Sequence, residues 1–221
     1  MATFRAGEEQ KYGGTGGTGF FSISNDKETK RVRFMYRGVD SVDGMSVHKV
    51  KLNDRDRYVN CIREYDEPID NCPFCKAKYP VQARVFIPIY NEDEGEVQLW
   101  DRGAKTWIGR LTSLCSRYSN TDKQLVGSLF DIERNGKPKD MKTDYNVYYV
   151  EADGKRMEDF PEPKKALGGL VLDKSYEDME YFVNHKEFPE GGSSSNEDET
   201  PFRRRSEGRR TPATTGREDA F

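Results

Sequence analysis

The chain has 221 residues, which suits one domain with extensions. Its formal net charge of -3, from 36 Lys and Arg against 39 Asp and Glu, argues against a simple polybasic coat protein. No apolar run approaches the roughly 20 residues of a membrane span, and the N-terminal residues lack the apolar stretch of a signal peptide. These features predict an intracellular protein with no membrane partner. In that setting, metal binding explains closely spaced cysteines better than disulfides do.

Two glycine-rich spacers divide the chain into three parts. One spacer is GGTGGTG at 13–19 and the other is GGSSS at 191–195, and both compositions are typical of flexible linkers. The sequence beyond the second spacer has few apolar residues and contains blocks of charge. We therefore expect a flexible N-terminal arm over 1–18, a folded core over 19–188 and a disordered C-terminal tail over 189–221.

Side-chain periodicity predicts a core made mainly of β-strands. The segments with period-2 alternation, or with many β-branched and aromatic residues, are 19–25, 30–37, 46–52, 57–63, 81–90, 96–102, 125–134 and 143–151. Helices are expected over 105–118 and over 175–184, the second with Ser175 as its capping residue. Many short strands, with one helix before the last hairpin, are typical of a small Greek-key β-barrel of the OB type. Other small barrels share this pattern.

Four residues with the chemistry of metal ligands stand close together in the sequence: His48, Cys61, Cys72 and Cys75. The last two form a C-x2-C turn that directs two thiolates at one ion, and three cysteines with one histidine are a standard set for structural zinc. Antiparallel pairing of two neighbouring predicted strands would bring the first two side by side. We therefore predict one structural Zn²⁺ in an inserted subdomain at about 46–80.

Two alternatives to zinc remain open for these residues. A C-x2-C pair can be a redox site, but such pairs usually begin a helix after a strand in a βαβ unit, and none is visible here. The other alternative is that these are ordinary buried cysteines near a surface histidine.

Cationic and aromatic side chains on the predicted strands are candidates for contact with nucleic acid. Single strands are bound by a cationic groove that follows the phosphates and by aromatic rings that stack on the bases. The candidates are three arginines of one strand, a tryptophan–arginine pair of another and three lysines in the last hairpin loop: Arg31, Arg33, Arg37, Trp100, Arg102, Lys137, Lys139 and Lys142. The alternative for the cations is a solvated sheet face or loop.

The metal set resembles that of a known family. His48 is followed by Cys61 after twelve intervening residues, by Cys72 after ten more and by Cys75 after two. This order and near-spacing, inside a strand-rich body, is similar to that of the zinc-containing helix-destabilising proteins. These are the single-stranded DNA-binding proteins of tailed phages.

Two further segments look like parts of phage relatives, LWDRG at 99–103 and DIERNGK at 131–137. The resemblance covers roughly residues 19–185. It implies an OB-fold with an inserted zinc subdomain. It also implies a protein that coats single-stranded DNA during replication, recombination and repair of phage DNA, in the cytoplasm of the infected bacterial host. Members typically self-associate along DNA through the N-terminal arm and recruit replication proteins through an acidic C-terminal tail.

The chain departs from this pattern at both ends. The arm contains only two basic residues, Arg5 and Lys11, and the tail mixes carboxylates with arginines. Its last four residues nevertheless resemble the partner-binding tips of such tails: Glu218, Asp219, Ala220 and Phe221. The ring can fill an apolar pocket while the carboxylates meet basic residues at the rim. The alternative is an inert tail.

Two other classes of function compete with this interpretation. A zinc-stabilised protein-interaction or transcription-regulatory module would use the same metal site but leave the cationic residues idle. A nuclease would need carboxylates clustered around Mg²⁺, whereas the acidic residues here are dispersed or lie in turns. We therefore expect single-stranded DNA binding without catalysis.

Overall fold

The computed structural model describes residues 19–118, 124–138, 140, 142–163 and 165–189. Its regular elements, in chain order, are β1 Thr29–Phe34, β2 Asp43–Leu52, β3 Arg55–Asn60, α1 Pro73–Lys76, β4 Val81–Asn91, β5 Glu96–Gly103, α2 Ala104–Tyr118, β6 Ser128–Asn135, β7 Asp144–Ala152, β8 Val171–Leu172 and α3 Tyr176–His185. Over these ranges, no helix has the length and apolar character that crossing a bilayer requires. The predicted arm, and all but the first residue of the predicted tail, lie outside the described residues.

One sheet contains all eight strands, in the order β7-β6-β1-β4-β2-β3-β8, with β5 added beside β4. Strand β4 is long enough to pair with β5 along one edge and with β2 and then β1 along the other. The prediction of a mainly β protein with a few short helices is therefore confirmed. Among the described residues the ladders form an open sheet, and closure into an OB barrel stays a prediction.

Most predicted elements are confirmed to within a few residues, but the first strand is not. Segment 19–25 contributes only an isolated bridge between Phe20 and Leu99. The reason is local, because the Glu28 carboxylate accepts hydrogen bonds from the backbone N–H groups of Ser24 and Asn25 and closes a turn there. The first regular strand therefore begins only at Thr29. At the other end of the core, Ser175 caps α3 as predicted.

The apolar side chains form three clusters. The largest lies between α2 and the sheet and includes Phe34, Ile87 and Trp100. The second combines residues of β2, β3 and α1 with Met179 and Phe182 of α3. Helix α3 therefore completes the apolar cluster around the predicted metal ligands, although in sequence it lies far beyond the predicted 46–80 subdomain.

Candidate metal centre and adjoining groove

The four predicted ligands converge from β2, the end of β3 and the start of α1. His48 lies opposite Val59 in the β2–β3 hairpin, so Cys61, two residues further on, falls on the same face. The Cys61 N–H donates to the Ser46 carbonyl at 2.9 Å, which extends the pairing as far as the ligand. Cys72 immediately precedes α1. A short helix with Pro73 at its first position therefore presents both cysteines of the C-x2-C turn to the hairpin.

The ligand atoms have the spacing of a tetrahedral site. All four lie within 4.8 Å of one another. The His48 Nε2 atom is 3.5 Å from Cys72 Sγ and 3.7 Å from Cys75 Sγ, and the Cys61 and Cys75 sulfurs are 3.7 Å apart. Tetrahedral zinc, with bonds of about 2.3 Å to sulfur and about 2.0 Å to nitrogen, sets edges of about 3.8 Å between sulfurs and about 3.5 Å between sulfur and nitrogen. The cluster therefore fits a bound metal, and no disulfide joins these two sulfurs.

Burial supports the same interpretation. His48 and Cys72 are completely buried, while Cys61 and Cys75 are partly buried. The Nε2 atom of the imidazole faces the thiols, and its Nδ1 atom has no hydrogen-bond partner among the described residues. Because Nε2 is the nitrogen that faces the thiols, the ring is oriented to bind a metal ion through Nε2.

The electrostatics favour the thiolate at Cys72 and oppose it at Cys61. The pKa of Cys72 is lowered, first by a hydrogen bond from Cys61, and further by His48 and the backbone N–H of Cys75. The same hydrogen bond, together with burial, raises the pKa of Cys61. The Arg63 guanidinium lies beside two of these thiols, and its own pKa is raised, chiefly by a hydrogen bond with Cys75. Three thiolates and a neutral imidazole around a divalent ion carry one net negative charge, which Arg63 offsets. Sequence reasoning missed this arginine, although it stands two residues after a ligand.

Arg33 does not lie on an exposed basic face. It is 1% exposed, and its guanidinium pairs with the carboxylates of Glu92 and Asp153. The Phe160 ring covers it with its centroid 5.4 Å away. Arg33 was predicted to contact DNA, and its burial contradicts that prediction, because the segment around residues 153–160 covers the polar face of β1 at this point.

The remaining predicted cations lie at or near the surface. The Arg31 guanidinium pairs with Asp131 at 2.9 Å, and that of Arg37 pairs with Glu158 at 2.9 Å. Among the three loop lysines, Lys137 and Lys142 are exposed, and Lys139 lies outside the described residues. Their contact with DNA stays a prediction.

Trp100 is completely buried. Its ring lies edge-on to those of Trp107 and Tyr145, with centroids at 4.5 Å and 5.2 Å. The prediction that Trp100 stacks on a base is therefore wrong, because helix α2 and strand β7 cover this face of β5. Its predicted companion Arg102 instead lies over the Trp100 ring, with the guanidinium carbon 4.4 Å from the centroid.

A groove of about 330 Å³ adjoins the β2–β3 hairpin, and strand β5 with the segment 20–22 forms its other wall. Its lining includes the exposed or partly exposed rings of Phe20 and Tyr58, the buried ring of Phe21, and the cations Lys49, Arg57 and Arg102. Both carboxylates in the groove have cationic partners, since Asp56 pairs with Lys49 at 2.6 Å and Asp101 pairs with Arg84 at 2.6 Å. Sequence reasoning missed all of these residues except Arg102, because they come from four separate segments.

Comparison with known proteins adds no identification. No protein-family model matches the chain, and no curated protein matches it.

Proposed function

We propose that the protein binds single-stranded DNA, without strong sequence preference, in the groove beside the metal-bearing hairpin. The observation that carries the proposal is the presence of two partly exposed rings, Phe20 and Tyr58, in one groove with Lys49, Arg57 and Arg102. Aromatic stacking contributes about 1–3 kcal/mol per base and tolerates any sequence, while cations bind the phosphates. Because the rings and the cations line the same groove, one strand can meet both.

The metal in this proposal is one structural Zn²⁺. Four protein ligands complete a tetrahedron, so no position is left for a catalytic water. The proposal accordingly includes no catalysis, and we assign the ion the task of fixing the β2–β3 hairpin that forms one wall of the groove. The ligand atoms His48 Nε2 and the three sulfurs are close enough for this role.

The biological setting is proposed from the resemblance of the ligand spacing to that of phage helix-destabilising proteins. In that setting the protein coats exposed strands during replication, recombination and repair of phage DNA, in the host cytoplasm. Its further partners are neighbouring copies along the strand and replication proteins recruited by the tail tip, Glu218–Phe221, which lies outside the described residues. Closure of the sheet into an OB barrel belongs to the same proposal.

Titration of the zinc-loaded protein with fluorescent oligo(dT), and with duplex DNA at several salt concentrations, tests the proposal. We expect tighter binding of oligo(dT) and a steep loss of affinity with salt, because neutralised phosphates release counterions. Arg57→Glu should weaken oligo(dT) binding and flatten the salt slope. Lys76→Glu, an equal change of charge at an exposed position of α1 away from the groove, should not. Equal affinity for duplex and oligo(dT) would sink the proposal.

A second candidate is a zinc-stabilised protein-interaction module. It is favoured by the loop between Cys61 and Cys72, where the Tyr65 side chain is 100% exposed and Ile69 is 59% exposed. Oligo(dT) binding that is absent in the intact protein, together with a host-protein complex that Tyr65→Ala abolishes, would favour this candidate over DNA binding.

A further inference from the structure

Arg102 lines the groove without a carboxylate partner among the described residues. Its Nε atom is buried and has no hydrogen-bond partner there, its Nη1 atom donates to the Asp101 backbone carbonyl at 2.9 Å, and the guanidinium also hydrogen-bonds the Tyr145 side chain. The Asp101 carboxylate, the nearest candidate in sequence, is engaged elsewhere. It accepts hydrogen bonds from Arg84 Nε at 2.6 Å and from the Tyr58 hydroxyl at 3.0 Å.

The guanidinium of Arg102 is nevertheless held firmly in place. Its carbon lies 4.4 Å from the centroid of the Trp100 ring and 4.0 Å from that of Tyr145. Both rings are buried in the largest apolar cluster, so the platform under the cation is rigid. Cation–π contact of this kind contributes up to about 2 kcal/mol when water is excluded, which offsets part of the cost of burying the charge.

The rest of that cost is only partly offset within the described chain. Burial lowers the pKa of Arg102 to about 10, although Tyr145 and the Asp101 carboxylate act in the opposite direction. Two other buried or partly buried arginines of the sheet do have counter-ions, as Arg33 has in Asp153 and Arg84 has in Asp101. A planar guanidinium fixed by stacking, with donors left over, is the arrangement that binds an oxyanion through two parallel hydrogen bonds.

We infer that Arg102 is a preformed phosphate site in the groove, and that its ligand is a phosphodiester group of a nucleic-acid strand. The inference rests on the proposed function and refines it, since it assigns the backbone of the strand to Arg102 and its bases to Phe20 and Tyr58. The Asp101 carboxylate holds the Tyr58 hydroxyl and the Arg84 guanidinium, and so does not form an ion pair with Arg102.

Arginine side-chain NMR of the full-length, zinc-loaded protein tests this inference directly. The Nε–Hε signal of Arg102 should shift on titration with inorganic phosphate, and shift further with oligo(dT). Sodium chloride at matched ionic strength should leave it unchanged. The corresponding signal of Arg110, whose guanidinium already pairs with Asp144, serves as the internal control.

Affinity measurements complete the test. Arg102→Lys keeps the charge and loses the planar fork, so oligo(dT) affinity should fall about tenfold, the loss expected for one charge-assisted bidentate contact. Replacing the central phosphates of the oligonucleotide with neutral methylphosphonates should weaken binding to the wild-type protein more than binding to the variant. Arg110→Lys should bind as the wild type does. A purely structural role for Arg102 would instead lower the melting temperature of Arg102→Lys and leave the methylphosphonate penalty unchanged.

The two proposals fail in different ways. No phosphate-induced shift, together with wild-type affinity in Arg102→Lys, overturns the phosphate site and leaves single-strand binding standing. A phosphate-induced shift in a protein that binds duplex DNA as tightly as oligo(dT) keeps the anion site and overturns the proposed function.

Discussion

The Cys72 sulfur lies 4.0 Å from the Met179 sulfur, so helix α3 contacts one of the metal ligands directly. Met179 is completely buried, in the same cluster as Phe74 and Phe182. The Phe74 ring, which lies between the two cysteines of the C-x2-C turn, packs edge-on against Phe182 with a centroid distance of 5.5 Å. The candidate metal ligands therefore pack directly against the last described helix as well as standing on the hairpin that carries His48.

Removal of the metal should loosen α3 together with β2, β3 and α1. The reason is that metal-binding free energy is part of the folding free energy of the elements that the ligands hold. Hydrogen exchange measured by mass spectrometry, before and after chelation, should show faster exchange in these elements. Strands β6 and β7 belong to the largest cluster and should keep their protection. Unchanged exchange in α3 after verified metal loss would contradict the coupling.

Loss of a thiol ligand should remove the metal. Elemental analysis of protein purified without chelators should find one zinc per chain, and Cys72→Ser and Cys75→Ser should lose the zinc and melt at lower temperature. Cys115→Ser is the matched control, because Cys115 packs against the largest cluster and away from the metal, so this variant should retain its zinc. Zinc retention in both ligand variants, or metal-free wild-type protein, would refute the site.

Replacement of Arg33 should destabilise the fold rather than act on DNA binding. Arg33→Met leaves the carboxylates of Glu92 and Asp153 without their cation. Because these side chains are 25% and 29% exposed, we expect a loss of about 3 kcal/mol, the low end for breaking a buried pair. Arg31→Met removes an exposed pair and should change the free energy of unfolding little. Urea denaturation of the two variants provides the comparison, and equal effects would refute the assignment of Arg33 to the interior.

The contribution of Asp153 to the free energy of unfolding should fall as the pH is lowered. The Arg33 guanidinium lowers the pKa of Asp153 below its ordinary 3.8, so the folded state favours the ionised carboxylate. The resulting stability is present above pH 3.8 and is lost as the pH falls through the lower folded pKa. The difference in free energy of unfolding between wild type and Asp153→Asn should therefore shrink as acid is added below pH 3.8. Metal loss at low pH affects both proteins and cancels in this difference, and a difference that grows with acid would refute the pairing.

Truncation of the last four residues, Glu218–Phe221, should separate recruitment from DNA binding. We expect oligo(dT) affinity to stay equal or rise slightly, because two carboxylates are removed, and pull-down of the replication polymerase or helicase to be lost. Removal of everything after Glu190 should lose the same recruitment, and any fall in DNA affinity would then come from the tail arginines. A four-residue truncation that still recruits partners would exclude the tip as the binding element.

The metal ligands could be predicted from sequence because their chemistry is local. Two cysteines in one turn, and a third at the end of a strand beside His48, need only the β2–β3 pairing to meet. The mainly β fold was predictable for a similar reason, since period-2 alternation depends on neighbours in the chain. Alternation assigns residues to two faces of a strand, however, and does not tell which segment covers each face. Arg33 and Trp100 were therefore placed wrongly, because contacts distant in sequence bury them. The groove was missed for the same reason, since its rings and cations meet only in the folded chain.

The two walls of the groove belong to differently stabilised parts of the molecule. Arg57 and Tyr58 stand on the hairpin that carries the candidate metal ligand His48, whereas Arg102 stands on β5 and rests on the largest apolar cluster. The hydrogen bond from the Tyr58 hydroxyl to Asp101 joins the walls. In the proposed complex, the distance between a stacked base and the phosphate beside it depends on how β2 and β5 each pair with β4. Loss of the metal would then change how well the groove matches the nucleotide spacing of the strand, without altering any residue in contact with it.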